Sequence, residues 1–274
     1  MKNIFATLIS LLISFQVFAN IGAVSNATGG SGRGAVDTTD GILLNPAFLV
    51  DFPSKFLTVN YSQDDYAITV VDNGRESFFP AALEYIQTKS DLIDTRKIGL
   101  ALALPRWKIL TIGTTVSLVE YSDIQNNTGA ETKYRQGVAD LGLTVALSKD
   151  FGFGLVANKI SSTHTKLPAA LELQKTVGAG LSYTYANFSR LRFDIMSGPE
   201  IKTDELIYMY GVENFINEWL VIRFGYQNNR VTAQDYLTGG IGFDGPQFSL
   251  HYAYVGNTDD QSDQKHLFDL SIPF

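Results

Sequence analysis

The chain has 274 residues, 45% of them hydrophobic, and a formal net charge of −7 at pH 7. This acidic balance gives no electrostatic basis for binding nucleic acid, and the absence of cysteine excludes a disulfide framework and a lipid-modified cysteine. After the first twenty positions the hydrophobic residues are dispersed, and no window has the length and apolarity of a membrane-spanning helix. Such dispersal is typical of a transmembrane β-barrel, whose strands alternate apolar and polar residues.

The first residues have the pattern of a signal peptide. Lys2 is followed by an uncharged stretch from Ile4 to Phe18, and the small residue Ala19 comes next, before Asn20. A basic start, an apolar core and a small-residue cleavage site predict a Sec signal peptide over residues 1–19. A membrane-anchor helix is the alternative, and the short apolar run disfavours it. Together with the barrel pattern, export predicts the outer membrane of a Gram-negative bacterium.

Residues 20–53 combine a glycine-rich first half with an apolar second half. A short helical turn is predicted from Asp37 or Thr38, either of which is an acceptable N-cap, and Pro46 and Pro53 interrupt it. A segment of such mixed composition would be disordered if it were free in the periplasm. We therefore expect it to fold inside the barrel as a plug of the lumen.

Residues 54–274 divide into segments of about ten residues separated by turn residues, the spacing expected of barrel strands. In LTIGTTVSLVEY, an apolar row that includes Ile112, Val116 and Leu118 occupies one face, and small residues occupy the other. We predict an all-β fold, a transmembrane antiparallel up-and-down β-barrel of about 14 strands, with 12 as the alternative. The predicted strands are residues 55–62, 65–71, 77–87, 96–104, 108–120, 132–147, 151–160, 172–185, 188–196, 204–213, 218–227, 234–243, 247–255 and 265–274.

The connections between these strands sort by length. The even-numbered connections are tight, as at residues 72–76 and 105–107, whereas several odd-numbered ones are longer and polar, as at residues 122–132 and 256–264. Outer-membrane barrels show the same asymmetry, with short turns on the periplasmic side and longer loops outside. A soluble β-sandwich has no reason to sort its connections in this way.

Pro80 falls inside the predicted third strand. A proline in mid-strand removes a ladder hydrogen bond and favours a bulge or a local gap. In lipid such a gap is costly unless protein or water satisfies the freed backbone group. Pro80 is therefore a candidate lateral gate, and a harmless kink near the rim is the equally weighted alternative.

The final strand carries an alternating apolar row that continues to the last residue. We expect the side chains of this row to face hydrocarbon. An aromatic terminal residue after such a row resembles the signal by which outer-membrane barrels are recognised, so the predicted partners include the barrel-assembly machinery and outer-membrane lipid. The row consists of Phe268, Leu270, Ile272 and Phe274.

Strand parity places charged residues of both signs on the lumen face. One interpretation is a structural salt-bridge network that fills the lumen and fixes the plug. The other is a binding site in which arginines attract an anionic head group. Its candidate residues are Arg190, Arg192, Asp194, Glu213, Arg223 and His251. The lumen-facing set is Glu84, Asp140, Arg190, Arg192, Asp194, Glu213, Arg223, His251 and Asp269.

The sequence contains no recognisable catalytic or metal-binding constellation. His164, His251 and His266 lie far apart and match neither a metal-ligand spacing nor a catalytic triad. The glycines at residues 152–154 and 239–242 precede no helix start, so they are not phosphate-binding loops. We therefore expect no enzyme activity, no metal and no cofactor.

Residues 32–49, GRGAVDTTDGILLNPAFL, resemble the N-terminal signature of the FadL-like superfamily of outer-membrane proteins. Residues 208–227 also resemble the penultimate hairpins of that superfamily, which includes long-chain fatty-acid transporters and the PorV-type proteins of a bacterial secretion system. The signature combines a Gly/Ala-rich opening, an acidic turn and a triplet just before the first strand. Its residues here are Asp37 or Asp40 for the turn, and Asn45, Pro46 and Ala47 for the triplet.

The resemblance implies a passive channel for small hydrophobic, fatty-acid-like compounds. Transporters of this kind are understood to release substrate sideways through a break in their third strand, where Pro80 lies in this sequence. The loops here are shorter than those of fatty-acid transporters, so we do not expect a capture groove on the outer surface. The PorV-like alternative is a non-transporting scaffold or a secretion-system partner. An open porin is disfavoured by the plug.

Overall fold

A computed structural model describes residues 22–34, 39–89, 93–122, 133–164, 171–198 and 201–274. In these ranges the chain forms a closed barrel of fourteen antiparallel strands, each paired with its neighbours in sequence, and the ring closes between the first and the last. This confirms the predicted architecture and gives fourteen strands rather than twelve. The strands are β1 Phe56–Tyr61, β2 Asp65–Asp72, β3 Ala81–Thr88, β4 Asp94–Ala103, β5 Leu110–Ser122, β6 Tyr134–Ala146, β7 Phe151–His164, β8 Thr176–Tyr185, β9 Ser189–Ser197, β10 Ile207–Phe215, β11 Leu220–Asn229, β12 Gln234–Asp244, β13 Ser249–Asn257 and β14 Gln264–Pro273.

Short helical turns precede the first strand. Helix α1 is Ala23–Ala27, helix α2 is Gly41–Leu44, and a 3₁₀ helix spans Pro46–Val50. The predicted signal peptide lies outside the described residues, as do Asp37 and Thr38, and α2 begins after Asp40. Among the helices of the described ranges, none is long and apolar enough to cross a membrane.

Alternation along the strands separates two faces of the wall. In β5, Thr111 and Thr115 are buried, whereas Ile112 and Val116 are 40% and 59% exposed on the outside of the barrel. Similar exposed apolar rows surround the barrel. Exposing them to water would cost about 25 cal/mol per Å², so the outer face is the surface that meets hydrocarbon.

Aromatic side chains mark one edge of this apolar belt. Trp107, Phe188, Trp219 and Phe248 lie in or beside the tight turns that follow even-numbered strands, and each is at least 41% exposed. Amphipathic aromatic rings favour the boundary between hydrocarbon and water. This end of the barrel, called the turn side below, therefore carries a membrane interface, and the opposite end is called the loop side.

Pro80 does not interrupt a strand. Strand β3 begins at Ala81, not at residue 77, and it pairs with β2 over eight consecutive residues. The carbonyl of Pro80 accepts the N–H of Ala103 at 3.2 Å. Because proline has no N–H for the ladder, the paired region starts only after it. The interpretation of Pro80 as a mid-strand proline is therefore wrong, and the β2–β3 ladder has no gap there.

The last strand closes the barrel. Strand β14 pairs with β13 on one side and with β1 on the other, and the N–H of Phe274 donates to the carbonyl of Lys55 at 3.0 Å. The predicted apolar row lies on the outer face, where its side chains are exposed. The role of this row as an assembly signal stays a prediction. Its members are Phe268, Leu270, Ile272 and Phe274.

Candidate functional site: the lumen and its wall

The residues that precede the barrel lie on its lumen side. We call residues 22–34 and 39–53 the N-terminal segment. Helix α1 packs against β11 to β14, and the 3₁₀ helix packs against β4, β5 and β6. Ala23, Ala27 and Phe48 are at most 2% exposed. The inner faces of the strands supply part of this burial, because both helices pack against them.

Asp194 of β9 binds the middle of the N-terminal segment. Its Oδ2 accepts the backbone N–H groups of Gly32 and Arg33 and a guanidinium N–H of Arg33, each at 2.9 Å. Asp194 is fully buried. The sequence predicts Asp194 in the lumen, where it lies, but not its partner, because Arg33 is 161 residues distant in the chain.

Two more carboxylates hold the start of the segment. Asp269 of β14 accepts the N–H of Ala23 at 2.6 Å, and Asp40 accepts the N–H of Ser25 at 2.6 Å. Both carboxylates are buried. They bind N–H groups in the first turn of α1, which an intrahelical bond does not satisfy.

The Asn45–Pro46–Ala47 triplet connects the two halves of the segment to the wall. The Oδ1 atom of Asn45 accepts the N–H of Ala47 at 3.1 Å and so caps the 3₁₀ helix. Its Nδ2 atom donates to the carbonyls of Arg33 and Leu143, each at 3.2 Å. Pro46 occupies the first helical position, where a missing N–H is harmless. The triplet is therefore a structural device for seating the segment.

Glycines on the inner wall make room for the segment. At Gly154 a Cβ atom would overlap the carbonyl oxygen of Arg33, and at Gly225 it would overlap the backbone of Gly29. The same holds on seven strands, so the segment approaches the wall more closely than any side chain would allow. We call these residues the seat glycines: Gly113, Gly142, Gly152, Gly154, Gly180, Gly211, Gly225 and Gly240.

An apolar cluster fills the turn side of the lumen next to β1 to β4. Phe48, Leu49 and Phe52 of the segment pack there against Phe56, and the rings of Phe52 and Phe56 meet edge to face at 5.0 Å between centroids. Small wall residues complete the packing. The wall members of the cluster are Val71, Ala82, Ala101 and Ala103.

Three of the six candidate head-group residues, all arginines, converge on the buried carboxylate of a fourth, Glu213. Arg192 Nε lies 2.7 Å from Glu213 Oε1, Arg223 Nε lies 2.9 Å from Oε2, and Arg190 reaches Oε1 at 3.4 Å. Arg223 also donates to His251 Nδ1 at 3.0 Å. Asp194, the sixth, is engaged by the segment. This geometry favours the salt-bridge network of the two interpretations, and head-group binding by these residues stays a prediction.

The contact with Arg223 also determines the tautomer of His251. A guanidinium can only donate, so Nδ1 must accept and the proton must sit on Nε2. The Nε2 atom faces Asp244 Oδ1 at 3.3 Å. His251 thus lies between the Arg223–Glu213 cluster and Asp244 on the turn side.

The lumen contains a cavity of about 270 Å³ on the loop side. One side is polar and includes Lys97, Asp140 and Lys159. The other side is apolar and includes Met196 and Met209. We call it the lumen cavity; sequence parity predicts Asp140 on its wall but does not single out either lysine.

A second cavity, of about 590 Å³, opens on the hydrocarbon face of β6 to β9. Its lining includes the outward-facing Leu141 and Leu155 and also the inward-facing Val156 and Met196. We call it the wall cavity. Met196 borders both cavities, so the two are separated by little more than one layer of side chains at this point.

The strand ladder ends where the two cavities meet. In the described residues, β7 pairs with β8 only as far as Asn158 and Thr176, although β7 continues beyond this point beside β6. The β6–β7 register shifts next to it, and Lys159 has a left-handed φ of 58°. The N–H of Lys159 donates to Asp140 Oδ1 at 2.6 Å instead of to a strand carbonyl. We call this site the β7 notch.

Within the part of the chain that the structure describes, no group of three or more His, Asp or Glu side chains is placed to hold a metal ion. No protein-family model matches the chain, and no curated protein matches it.

Solved structures do match. The chain is similar to the toluene transporter TbuX of Ralstonia pickettii, with a TM-score of 0.70, 12% identity, and coverage of 94% of this chain and 99% of that chain. The toluene transporter TodX of Pseudomonas putida matches with a TM-score of 0.62 and 13% identity, over 92% of this chain and 96% of that chain. A FadL homologue of Pseudomonas aeruginosa matches with a TM-score of 0.62 and 10% identity, over 91% of this chain and 97% of that chain. The predicted resemblance is thereby confirmed at the level of the fold: the chain is a closed β-barrel built like these transporters.

Proposed function

We propose that the chain is a passive outer-membrane channel for small hydrophobic compounds, exported by its signal peptide in a Gram-negative bacterium. TbuX and TodX, which share the fold, are toluene transporters, and this supports the substrate class. The exposed apolar belt and its aromatic edge support the outer membrane as the location.

The observation that carries the proposal is the meeting of the lumen cavity and the wall cavity at Met196. A compound that enters from the loop side reaches the lumen cavity first. Toward the turn side the N-terminal segment and its apolar cluster block the direct way through. The open direction is sideways, past the β7 notch into the wall cavity and on to the bilayer.

Sideways release suits an apolar compound physically. Transfer into hydrocarbon removes its surface from water, which is favourable by about 25 cal/mol per Å², and no energy source is needed. The wall cavity is lined mainly by Leu, Ile and Val side chains. We therefore place the lateral gate at the β7 notch and not at Pro80.

A reversible crosslink tests this route. Ala157 and Val177 are register partners across β7 and β8 and face the wall cavity. Because the chain has no cysteine, Ala157→Cys with Val177→Cys gives one defined disulfide beside the notch. We expect oxidation to reduce toluene uptake into proteoliposomes at least fivefold, and reduction of the disulfide to restore it.

The matched control is Leu100→Cys with Val116→Cys, register partners on the outer face of β4 and β5. This crosslink leaves the notch free and should not alter uptake. If the notch crosslink forms fully and uptake is unchanged, release at this site is wrong. If the unmodified protein takes up no toluene, the channel function itself is wrong. The scaffold or secretion-partner alternative stays a prediction from the resemblance.

A further inference from the structure

The lumen cavity carries more charge than a passage for hydrocarbons requires. Lys97, Asp140 and Lys159 all line it. Lys97 is neutralised by Glu84, with 2.7 Å between Nζ and Oε1. Arg33, which also borders the cavity, is neutralised by Asp194 at 2.9 Å.

Lys159 differs from Lys97 and Arg33 in its ion pairing. In the described residues its ammonium group has no carboxylate within ion-pair distance and makes no hydrogen bond. Asp140 is the nearest acidic neighbour on the cavity wall, but its Oδ1 is bound to the backbone N–H of Lys159 rather than to the ammonium. Among the cavity-lining residues that the structure describes, the Lys159 ammonium therefore has no counter-ion at contact distance.

The β7 notch is what brings this ammonium inside. Gly154 and Val156 face the lumen, so regular alternation would direct Lys159 toward hydrocarbon. The left-handed backbone at Lys159 turns its side chain to the cavity instead. A half-buried ammonium that faces a cavity can bind a ligand carboxylate through a charge-assisted hydrogen bond.

We propose that the lumen cavity binds small amphiphilic carboxylates, with the carboxylate on Lys159 and an apolar ring or short chain on the opposite side. The proposal rests on the proposed channel function and narrows its substrate class. The opposite side offers Met196 and Met209, and thioethers make favourable contacts with aromatic edges.

The size of the cavity limits the ligand. Its volume of about 270 Å³ corresponds to about nine water molecules at about 30 Å³ each. A single aromatic ring that bears a carboxylate fits this space, whereas a long-chain fatty acid exceeds it. The cavity is therefore matched to aromatic or short aliphatic acids.

Paired ligands test the inference. We would measure binding of benzoate and of its uncharged analogue benzyl alcohol to the purified barrel in detergent by equilibrium dialysis. The wild-type protein should bind benzoate at least tenfold more tightly than benzyl alcohol. Lys159→Met should abolish this difference without weakening benzyl alcohol, and Lys159→Arg should retain it.

Two further variants complete the design. Lys265→Met, on the exposed end of β14, is the matched control and should preserve the benzoate preference. Lys159→Gln replaces Lys159→Met if the methionine variant does not fold. Equal binding of both ligands by the wild-type protein, or a preference that survives loss of the Lys159 charge, would overturn the inference while the channel proposal stands. If the wild-type protein binds neither ligand and transports no toluene, both proposals are wrong.

Discussion

Replacing Glu213 with glutamine is expected to lower the free energy of unfolding of the barrel by about 3–5 kcal/mol. Glu213 is fully buried and is the shared carboxylate of Arg190, Arg192 and Arg223. Glutamine keeps the shape and one acceptor oxygen but removes the charge, so three guanidinium groups lose their common counter-ion. Urea titration of the refolded protein, followed by the fluorescence of its two tryptophans, measures the change.

An exposed ion pair provides the control for this substitution. Glu120 and Arg135 are 2.8 Å apart on β5 and β6, and the Arg135 side chain is 69% exposed. Glu120→Gln should change the free energy of unfolding by no more than about 1 kcal/mol, because solvent screens such pairs. Equal costs for the two variants would contradict the view that the Glu213 cluster is a dry structural network.

Adding one methyl group at Gly154 is expected to destabilise the barrel by about 1–3 kcal/mol and to loosen the N-terminal segment. The new Cβ would overlap the carbonyl oxygen of Arg33. That backbone cannot easily move, because Asp194 holds the N–H and the guanidinium of the same residue. Urea titration measures the energy, and the rate of limited proteolysis within residues 22–34 measures the loosening.

The control for this change is Gly239→Ala. Gly239 is the register partner of the outward-facing Phe224, and the nearest atom to its added Cβ would be 3.6 Å away. Its effect on the free energy of unfolding should stay within about 0.5 kcal/mol. If Gly154→Ala behaves in the same way and leaves proteolysis unchanged, the seat glycines do not determine how the segment is held.

The direction in which each side chain of the barrel wall faces can be predicted from the sequence, because a strand residue points either to hydrocarbon or to the lumen. The row that contains Ile112 and Val116 faces outward, and Glu213 and Arg223 face inward, as period-two alternation predicts. The sorting of connections by length holds only in part: the β2–β3 connection on the turn side spans residues 73–80, whereas the β1–β2 connection on the loop side spans only residues 62–64.

The parts that sequence alone does not predict depend on irregular backbone or on distant partners. At the β7 notch, the partner of β6 moves from Ser161 to Ala157 as the chain advances only from Ala139 to Leu141, so parity fails for Lys159. The Asp194–Arg33 pair joins residues far apart in the chain, and no local pattern encodes it. Alternation predicts Pro80 inside a strand because the apolar residues before it continue the pattern, whereas in the structure Phe78 and Phe79 belong to an exposed turn.

The division of the wall into two faces has a consequence for how freely the sequence can vary. Positions on the hydrocarbon face accept almost any apolar side chain, so roughly half of each strand is free to drift while the architecture persists. The small inner residues and the buried Asp194–Arg33 pair, which together accommodate the leading segment, are in contrast the positions of this chain where we expect substitution to be least tolerated.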